Sequence, residues 1–253
     1  MRLKDKVIIV TGGAMGIGRA YCLGLAKEGA KVAVADIQEE EAKKVATEIS
    51  REGGGDAIAV AVDVTSEEKT RSMAQTTLQK YGRIDVLVNN AGLYTTIKKR
   101  SFVEIPPEEW DQIIAVNLKG HFLCAQAVYP AMQRQGKGKI INISSGTIFS
   151  GSPHFVHYVT SKAGVIGFTR ALARELGPDN ISVNAITPGL TISGPQQAGV
   201  ITPQQLADRR SRRCFQRDQF PQDLVGTVIF LSSADSDFIT GQTINVDGGA
   251  NMY

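Results

Sequence analysis

Tyr158 and Lys162 stand four residues apart in the stretch YVTSK, and Ser145 precedes the tyrosine by thirteen positions. On a helix, an i, i+4 pair shares one face. An ammonium held there would lower the pKa of the phenol, which at its ordinary value of about 10 is a poor base in neutral water. Ser145, arriving from the end of a strand, could hold a substrate oxygen beside them. The chemistry this allows is proton exchange with an alcohol or carbonyl oxygen. By itself the pair is equally an amphipathic helix with a surface lysine, so the elements around it must decide.

The elements that would carry such a site begin with Val7 to Val10, an apolar β-branched run of the kind buried on both faces of a parallel sheet. It ends in Thr11-Gly12-Gly13-Ala14-Met15-Gly16-Ile17-Gly18, followed by a helix expected from about Ile17 to Glu28 and closed by Gly29. Strand, glycine turn and helix offer a pyrophosphate the free amides and positive dipole end of the helix, with Gly12, Gly16 and Gly18 allowing close approach. The adjacent Met15 and Ile17 would line the same turn. The next strand, Lys31 to Ala35, ends at Asp36, about 20 residues past the turn, where a carboxylate accepts from both hydroxyls of an adenosine ribose. A 2′-phosphate would meet like charge, and neither Ala14, Met15 nor Ile37 supplies a compensating cation. NAD is therefore favoured over NADP. The alternative role for Asp36 is to cap the helix beginning near Glu39.

The pattern repeats. Ala57 to Val62 reads as a strand with Asp63 and Val64 at its end, placed to meet an adenine by its amine and by its face, and Ser66 caps a helix to about Tyr81. Ile84 to Val88 runs into Asn89-Asn90-Ala91-Gly92, where small residues let a cofactor lie against the chain and Asn90 can tie neighbouring strands. One long helical pattern follows from Trp110 to Leu123, with Asn117 among apolar neighbours and so suited to a buried hydrogen-bonding role. Lys139 to Ile143 is the fifth strand, ending at Ser144 and Ser145. The helix of Tyr158 and Lys162 continues to Leu176. Ile181 to Ile186 is the sixth strand, leading to Pro188-Gly189, and Thr243 to Val246 is the last, after a helix near Leu224 to Ser232. Strand alternating with helix throughout is the signature of a doubly wound α/β fold, a Rossmann-type parallel sheet of about seven strands in a single domain, 1–253.

Composition narrows the partners. With 28 Lys and Arg against 25 Asp and Glu, the net charge of +3 is too small to point to nucleic acid. Cys22, Cys124 and Cys214 are far apart, without metal-ligand spacing, and are expected to be buried thiols of a reducing compartment, with no disulfide and no metal. No apolar run approaches the roughly 20 residues that span a bilayer. A small-molecule substrate and a soluble, cytoplasmic protein are the expectations.

Together these residues resemble the short-chain dehydrogenase/reductase family of the classical type, over essentially the whole chain. Thr11, Gly12, Gly16 and Gly18 match its TGxxxGxG, Asn89 to Gly92 its NNAG, Tyr158 and Lys162 its YxxxK, and Pro188-Gly189 its PG motif. Within the family, VIGFTRALARELG, NISVNAITPGL and FITGQTINVDGG are most similar to the NAD-dependent 1-phenylethanol and pyridoxal 4-dehydrogenases. The resemblance implies an alcohol dehydrogenase or carbonyl reductase with Asn117, Ser145, Tyr158 and Lys162 as catalytic residues. Tyr158 would exchange the proton, Lys162 would lower its pKa and bind the nicotinamide ribose, and Asn117 would hold a water linking Lys162 to solvent. Pro188, Gly189 and the Thr191 backbone would meet the carboxamide end of the cofactor. Ser193 stands where the family usually has threonine, keeping a hydroxyl for the phosphate. A homotetramer is implied as well. A 3-oxoacyl thioester reductase shares every motif, though that branch generally uses NADPH, and a catalytically silent NAD-binding sensor would be expected to have lost one of the four residues.

For the substrate, Leu93, Tyr94, Ile148, Phe149, Phe155 and Leu190 are candidate apolar walls beside Ser145, favouring a hydrophobic, cyclic or aromatic alcohol, unless they are core. His154 and His157 are expected at the surface or hydrogen-bonded rather than catalytic. Residues 193–220 read as a mobile substrate-binding insertion with one short helix. Its Arg209-Arg210-Ser211-Arg212-Arg213 run is either a solvated or intersubunit face or a source of one arginine for an acidic substrate.

Overall fold

The first apolar run folds as β1 (Val7–Thr11), buried throughout. Ile8 and Val10 pack into one hydrophobic cluster and Ile9 into another on the opposite face of the sheet. A strand covered on both sides has no reason to alternate with polar residues. The computed structural model describes residues 1–51, 55–194 and 202–252. β1 is followed by β2 (Lys31–Asp36), β3 (Ala57–Ala61), β4 (Val86–Asn89), β5 (Gly138–Ile143), β6 (Ile181–Pro188) and β7 (Thr243–Val246). These form one parallel seven-stranded sheet in the order β3-β2-β1-β4-β5-β6-β7.

Helices α1 (Gly16–Lys27), α2 (Glu39–Arg51) and α9 (Gln222–Ser232) supply the cluster on one face. Helices α3 (Glu67–Tyr81), α5 (Gly120–Gln135) and α7 (Val156–Leu176) supply the other. The winding reverses between β1 and β4, which are neighbours in the sheet, so a crevice opens at their carboxyl ends. This is the doubly wound, Rossmann-like architecture expected.

The differences are local. β6 extends through Thr187 and Pro188, past its expected end at Ile186, because β7 pairs with it there. The long helix expected around Trp110 is interrupted: α4 (Pro107–Ile114) joins α5 through a π turn over Ala115–Lys119. That wider turn carries Asn117, which is fully buried. Such bulges turn a side chain that an unbroken ladder would aim elsewhere. Cys22 and Cys124 are buried as expected, but Cys214 is exposed, since it follows the polar helix α8 (Pro203–Ser211) outside the core.

Candidate active site

A cleft of about 1780 Å³ runs along the carboxyl ends of the strands, with Gly12, Met15, Gly16, Ile17 and Gly18 along one wall. Gly12 has φ +64°, and a Cβ there would lie 2.9 Å from the Ala91 Cα; a Cβ on Gly18 would overlap the Gly12 carbonyl. Asn90 locks this turn. Its Nδ2 donates to the carbonyls of Thr11 and Gly12 at 3.0 and 3.1 Å, and its amide donates to Thr11 Oγ1 at 3.0 Å. Met15 offers α1 no side-chain cap, leaving the first-turn amides to a ligand. A glycine cradle under an uncapped helix start fits the pyrophosphate of a dinucleotide.

Asp36 is buried at the end of β2 beside this cradle. Its Oδ1 accepts from the Gln38 amide and its Oδ2 from the Ala14 amide, both at 3.0 Å. The residue thus fastens the approach to α2 and also lines the cleft, with a second lone pair on each oxygen open to ribose hydroxyls. A cation absent from the sequence reading is nearby: Arg19 lines the cleft, but both Glu48 oxygens hold its Nη2, at 2.6 and 2.7 Å. Asp63 accepts from the Thr65 amide and hydroxyl at 2.9 and 2.7 Å, and Val64 presses on Gly120 at the start of α5.

Further along, β5 delivers Ser144 and Ser145, and α7 presents Tyr158 and Lys162. Thr147 donates to Ser145 Oγ from its amide and its hydroxyl, at 3.2 and 3.0 Å, and the Ser145 side chain is close enough to the Tyr158 phenol to favour its ionised form. Lys162 Nζ donates to the Ile143 carbonyl at 2.9 Å. Asn117 grips the Leu93 backbone, accepting from its amide at 2.7 Å and donating to its carbonyl at 3.1 Å, and reaches Ser161 Oγ at 3.3 Å. Its Oδ1 and Lys162 Nζ flank Gly92, each 3.3 Å from where a Cβ would stand.

The electrostatics correct the expectation from spacing. Burial pushes the Tyr158 phenol well above its usual value, Ser145 only partly opposes this, and Lys162 is not among the groups that lower it. Lys162 itself is brought down to about 8 by desolvation. The two share a helix face, and for each of them desolvation is the leading influence.

Tyr94 and Phe155 form an aromatic wall on Tyr158, with ring centroids 5.4 and 5.7 Å from it and 6.0 Å from each other. Leu190, Pro188, Gly189, Thr191 and Ser193 close the cleft after β6. Phe149 and Ile148 do not line it. In the short helix α6 (Thr147–Ser150) the i, i+3 pair Thr147 and Ser150 faces the cleft, which turns the two apolar side chains aside. His154 is exposed; His157 is buried with Nε2 3.0 Å from Glu109 Oε1. Of the arginine run, Arg210 pairs with Asp218 at 2.9 Å and Arg213 is buried against the Leu190 and Arg217 carbonyls, while Arg209 and Arg212 are exposed along the cleft. Residues 195–201 of the expected insertion lie outside the described residues.

His121 had no signal in sequence. It is 1 % exposed at the start of α5, and neither ring nitrogen makes a well-formed hydrogen bond among the described residues, the Ala91 backbone being the least of the influences on it. Burial first, and then the charge of Lys162, hold its pKa well below the usual imidazole value, so the ring is neutral. Among the described residues no helix is long and apolar enough to cross a membrane.

A family model for short chain dehydrogenases matches residues 6–200. A 3-oxoacyl-[acyl-carrier-protein] reductase of Thermotoga maritima is 40 % identical over 251 residues, spanning 98 % of this chain and 99 % of that protein. A probable galactose dehydrogenase of Rhizobium meliloti is 38 % identical over 247 residues, 98 % of this chain and 95 % of its own. Two solved structures superpose with a TM-score of 0.92 at 35 % identity: a candidate short-chain alcohol dehydrogenase from Sinorhizobium meliloti 1021, matched over 98 % of this chain and 97 % of that one, and a candidate gluconate dehydrogenase from Agrobacterium tumefaciens, over 99 % and 98 %.

Proposed function

The chain belongs to the short-chain dehydrogenase family, and from that premise we propose that it is an NAD-dependent oxidoreductase interconverting a hydrophobic, cyclic or aromatic alcohol and its ketone or aldehyde. The observation that carries the reading is the convergence, in one cleft, of a glycine cradle, a buried Asp36, and Tyr158 between Ser145 and an aromatic wall. Members of the family use nicotinamide cofactors. The choice of NAD rests on Asp36, whose charge opposes a 2′-phosphate, and on Arg19, the cation at hand, being engaged by Glu48.

In this mechanism Ser145 and Tyr158 grip the substrate oxygen from two hydroxyls. A bound nicotinamide would supply the hydride in reduction and accept it in oxidation. Tyr158 donates the proton to the carbonyl oxygen in reduction and takes it back in oxidation. Burial keeps the resting phenol protonated, the form that reduction needs. Lys162, oriented by the Ile143 carbonyl, would hold the nicotinamide ribose, and Asn117 fixes Leu93, so that the wall of the pocket stays in register with α7. We take residues 1–253 as one domain with a substrate-binding insertion at about 193–220, and the enzyme as a cytoplasmic homotetramer, which light scattering would check.

Initial rates with aryl and alicyclic secondary alcohols, primary aryl alcohols, galactose and gluconate, each with NAD and with NADP, test the reaction and the cofactor. Tyr158→Phe should abolish turnover and leave NADH binding, read by its fluorescence, nearly unchanged. Retained turnover removes Tyr158 from the mechanism. A second reading, reduction of 3-oxoacyl thioesters, is favoured by the 40 % identity to the Thermotoga reductase. Activity confined to NADPH and an acetoacetyl thioester would install it. A silent sensor is disfavoured because Asn117, Ser145, Tyr158 and Lys162 are all in place.

A further inference from the structure

Three cations, Lys99, Arg209 and Arg212, line the outer, substrate end of the cleft. None has an ion-pair partner among the described residues, whereas their neighbours Arg100, Arg210 and Arg217 pair with Glu109, Asp218 and Asp223. Lys99 Nζ lies over the Phe155 ring, 5.3 Å from its centroid, and Phe155 is itself 5.7 Å from Tyr158. Arg209 is near enough for its charge to act on the Tyr94 phenol, and Tyr94 is 5.4 Å from Tyr158. Lys99, from the loop after β4, therefore stands one aromatic ring beyond Tyr158, and Arg209, from α8, lines the same cleft.

The two carboxylates of this region, Asp208 and Asp247, hold neutral donors and form no ion pair with these cations among the described residues. Asp247 accepts from the amides of Gly249, Ala250 and Asn251 and from Asn251 Nδ2, and Asp208 accepts from Gln204. Arg213 is occupied elsewhere, since its bonds to the Leu190 and Arg217 carbonyls strap the segment after β6 to the end of α8. Lys99, Arg209, Arg212 and Arg213 outnumber Asp208 and Asp247 around this opening and leave it net positive, from which a neutral hydrophobic substrate would gain nothing. An anion would balance this charge and accept charge-assisted hydrogen bonds from the guanidinium fork.

We propose that this end of the cleft binds an anionic group of the substrate, a carboxylate or a phosphate, about one ring's length from the reacting carbon, with Lys99 and Arg209 setting the specificity. The substrate is then a hydroxy acid or phosphorylated alcohol, or the corresponding oxo compound, whose apolar middle lies on Tyr94 and Phe155. The inference rests on the reading of Tyr158 as the acid/base group, which fixes where the carbon must sit.

The probes are 4-acetylbenzoate, its methyl ester and 4-acetylphenyl phosphate, reduced with NADH. One or both anions should exceed the ester in kcat/KM by about tenfold or more at low salt, and the preferred anion identifies the group. The advantage should shrink as added salt shortens the screening length toward a few ångströms. Arg209→Gln and Lys99→Gln should each lower the anion-to-ester ratio several-fold. Equal kcat/KM for ester and anions, or a ratio that neither variant moves, overturns the proposal. Calorimetry of the same three compounds on the enzyme with NADH separates the two readings. Anion-selective binding without reduction keeps the subsite and removes the oxidoreductase assignment for these carbonyls, while unselective binding, or none, removes the subsite.

Discussion

Lys162→Met should make the cofactor-free protein more stable while removing its turnover. Lys162 is 4 % exposed, and desolvation lowers its pKa from 10.5 to about 8. A drop of about two and a half pH units, at about 1.4 kcal/mol each, means that burying the charge costs about 3 kcal/mol at neutral pH. Against this stands the hydrogen bond to the Ile143 carbonyl at 2.9 Å, worth about 1.5–3 kcal/mol for a charged donor. Methionine fills the same volume without the charge, and the Ser144 hydroxyl keeps its bond to the Lys162 carbonyl at 2.7 Å because that acceptor is backbone. A net gain of about 1 kcal/mol follows, which for a chain of this size raises Tm by roughly 2–4 °C.

The pH dependence separates this desolvation from any packing change. The folded pKa lies below the unfolded one, so between about 8 and 10.4 the unfolded chain binds more protons, and wild-type stability contributed by this group rises with pH across that window. The penalty is fully present below about 8. Urea unfolding of both proteins at pH 7, 8, 9 and 10 should show the variant ahead at pH 7 and its lead shrinking above pH 8. A variant that melts several degrees lower, or a lead that does not change with pH, would mean that interactions of the ammonium exceed its desolvation. Turnover should be lost through the nicotinamide ribose anchor, so that NADH binding by fluorescence weakens together with the rate.

Three further outcomes are expected. Asp36→Ala frees the amides of Ala14 and Gln38, costing about 1–3 kcal/mol of stability, and should relax the preference for NAD over NADP by tenfold or more in kcat/KM; unchanged preference would show that Asp36 does not select the cofactor. Gly18→Ala puts a methyl into the Gly12 carbonyl, so NADH affinity by fluorescence titration should drop more than tenfold or Tm fall by several degrees; wild-type affinity together with wild-type Tm would contradict the cradle. His121, with its folded pKa depressed, takes up a proton later than in the unfolded chain, so stability should fall as pH drops below about 6.5, by at most about 1.4 kcal/mol per pH unit; His121→Leu should melt with a smaller loss between pH 7 and 5, and an equal loss would exclude this residue as the source.

What is legible in the sequence is what strand ends and short spacings determine. Asp36 stands at the end of β2, Ser66 accepts from Lys69 as the N-cap of α3, and Asn90 ties the end of β4 to the glycine turn, because each depends on residues adjacent in the chain or on one parallel pairing. The π turn is not legible, since an apolar run from Trp110 to Leu123 is compatible with an unbroken helix and only the packing of Asn117 against Leu93 and Ser161 selects the wider turn. Phe149 misleads for a similar reason: its orientation is settled by a single helical turn whose polar pair, Thr147 and Ser150, takes the cleft.

Charge is where local reading fails most instructively. The spacing of Tyr158 and Lys162 correctly puts them on one face, yet the sign of the effect on the phenol is decided by depth, and depth is set by the strands and helices that cover α7. The same rule runs in reverse along Arg209 to Arg213. There the sequence shows four equivalent cations, and the fold separates them into a strap at Arg213, a surface pair at Arg210, and Arg209 and Arg212, which line the cleft without an ion pair among the described residues. Spacing therefore locates the groups of this site, whereas their protonation and their partners follow from which of them the fold removes from water.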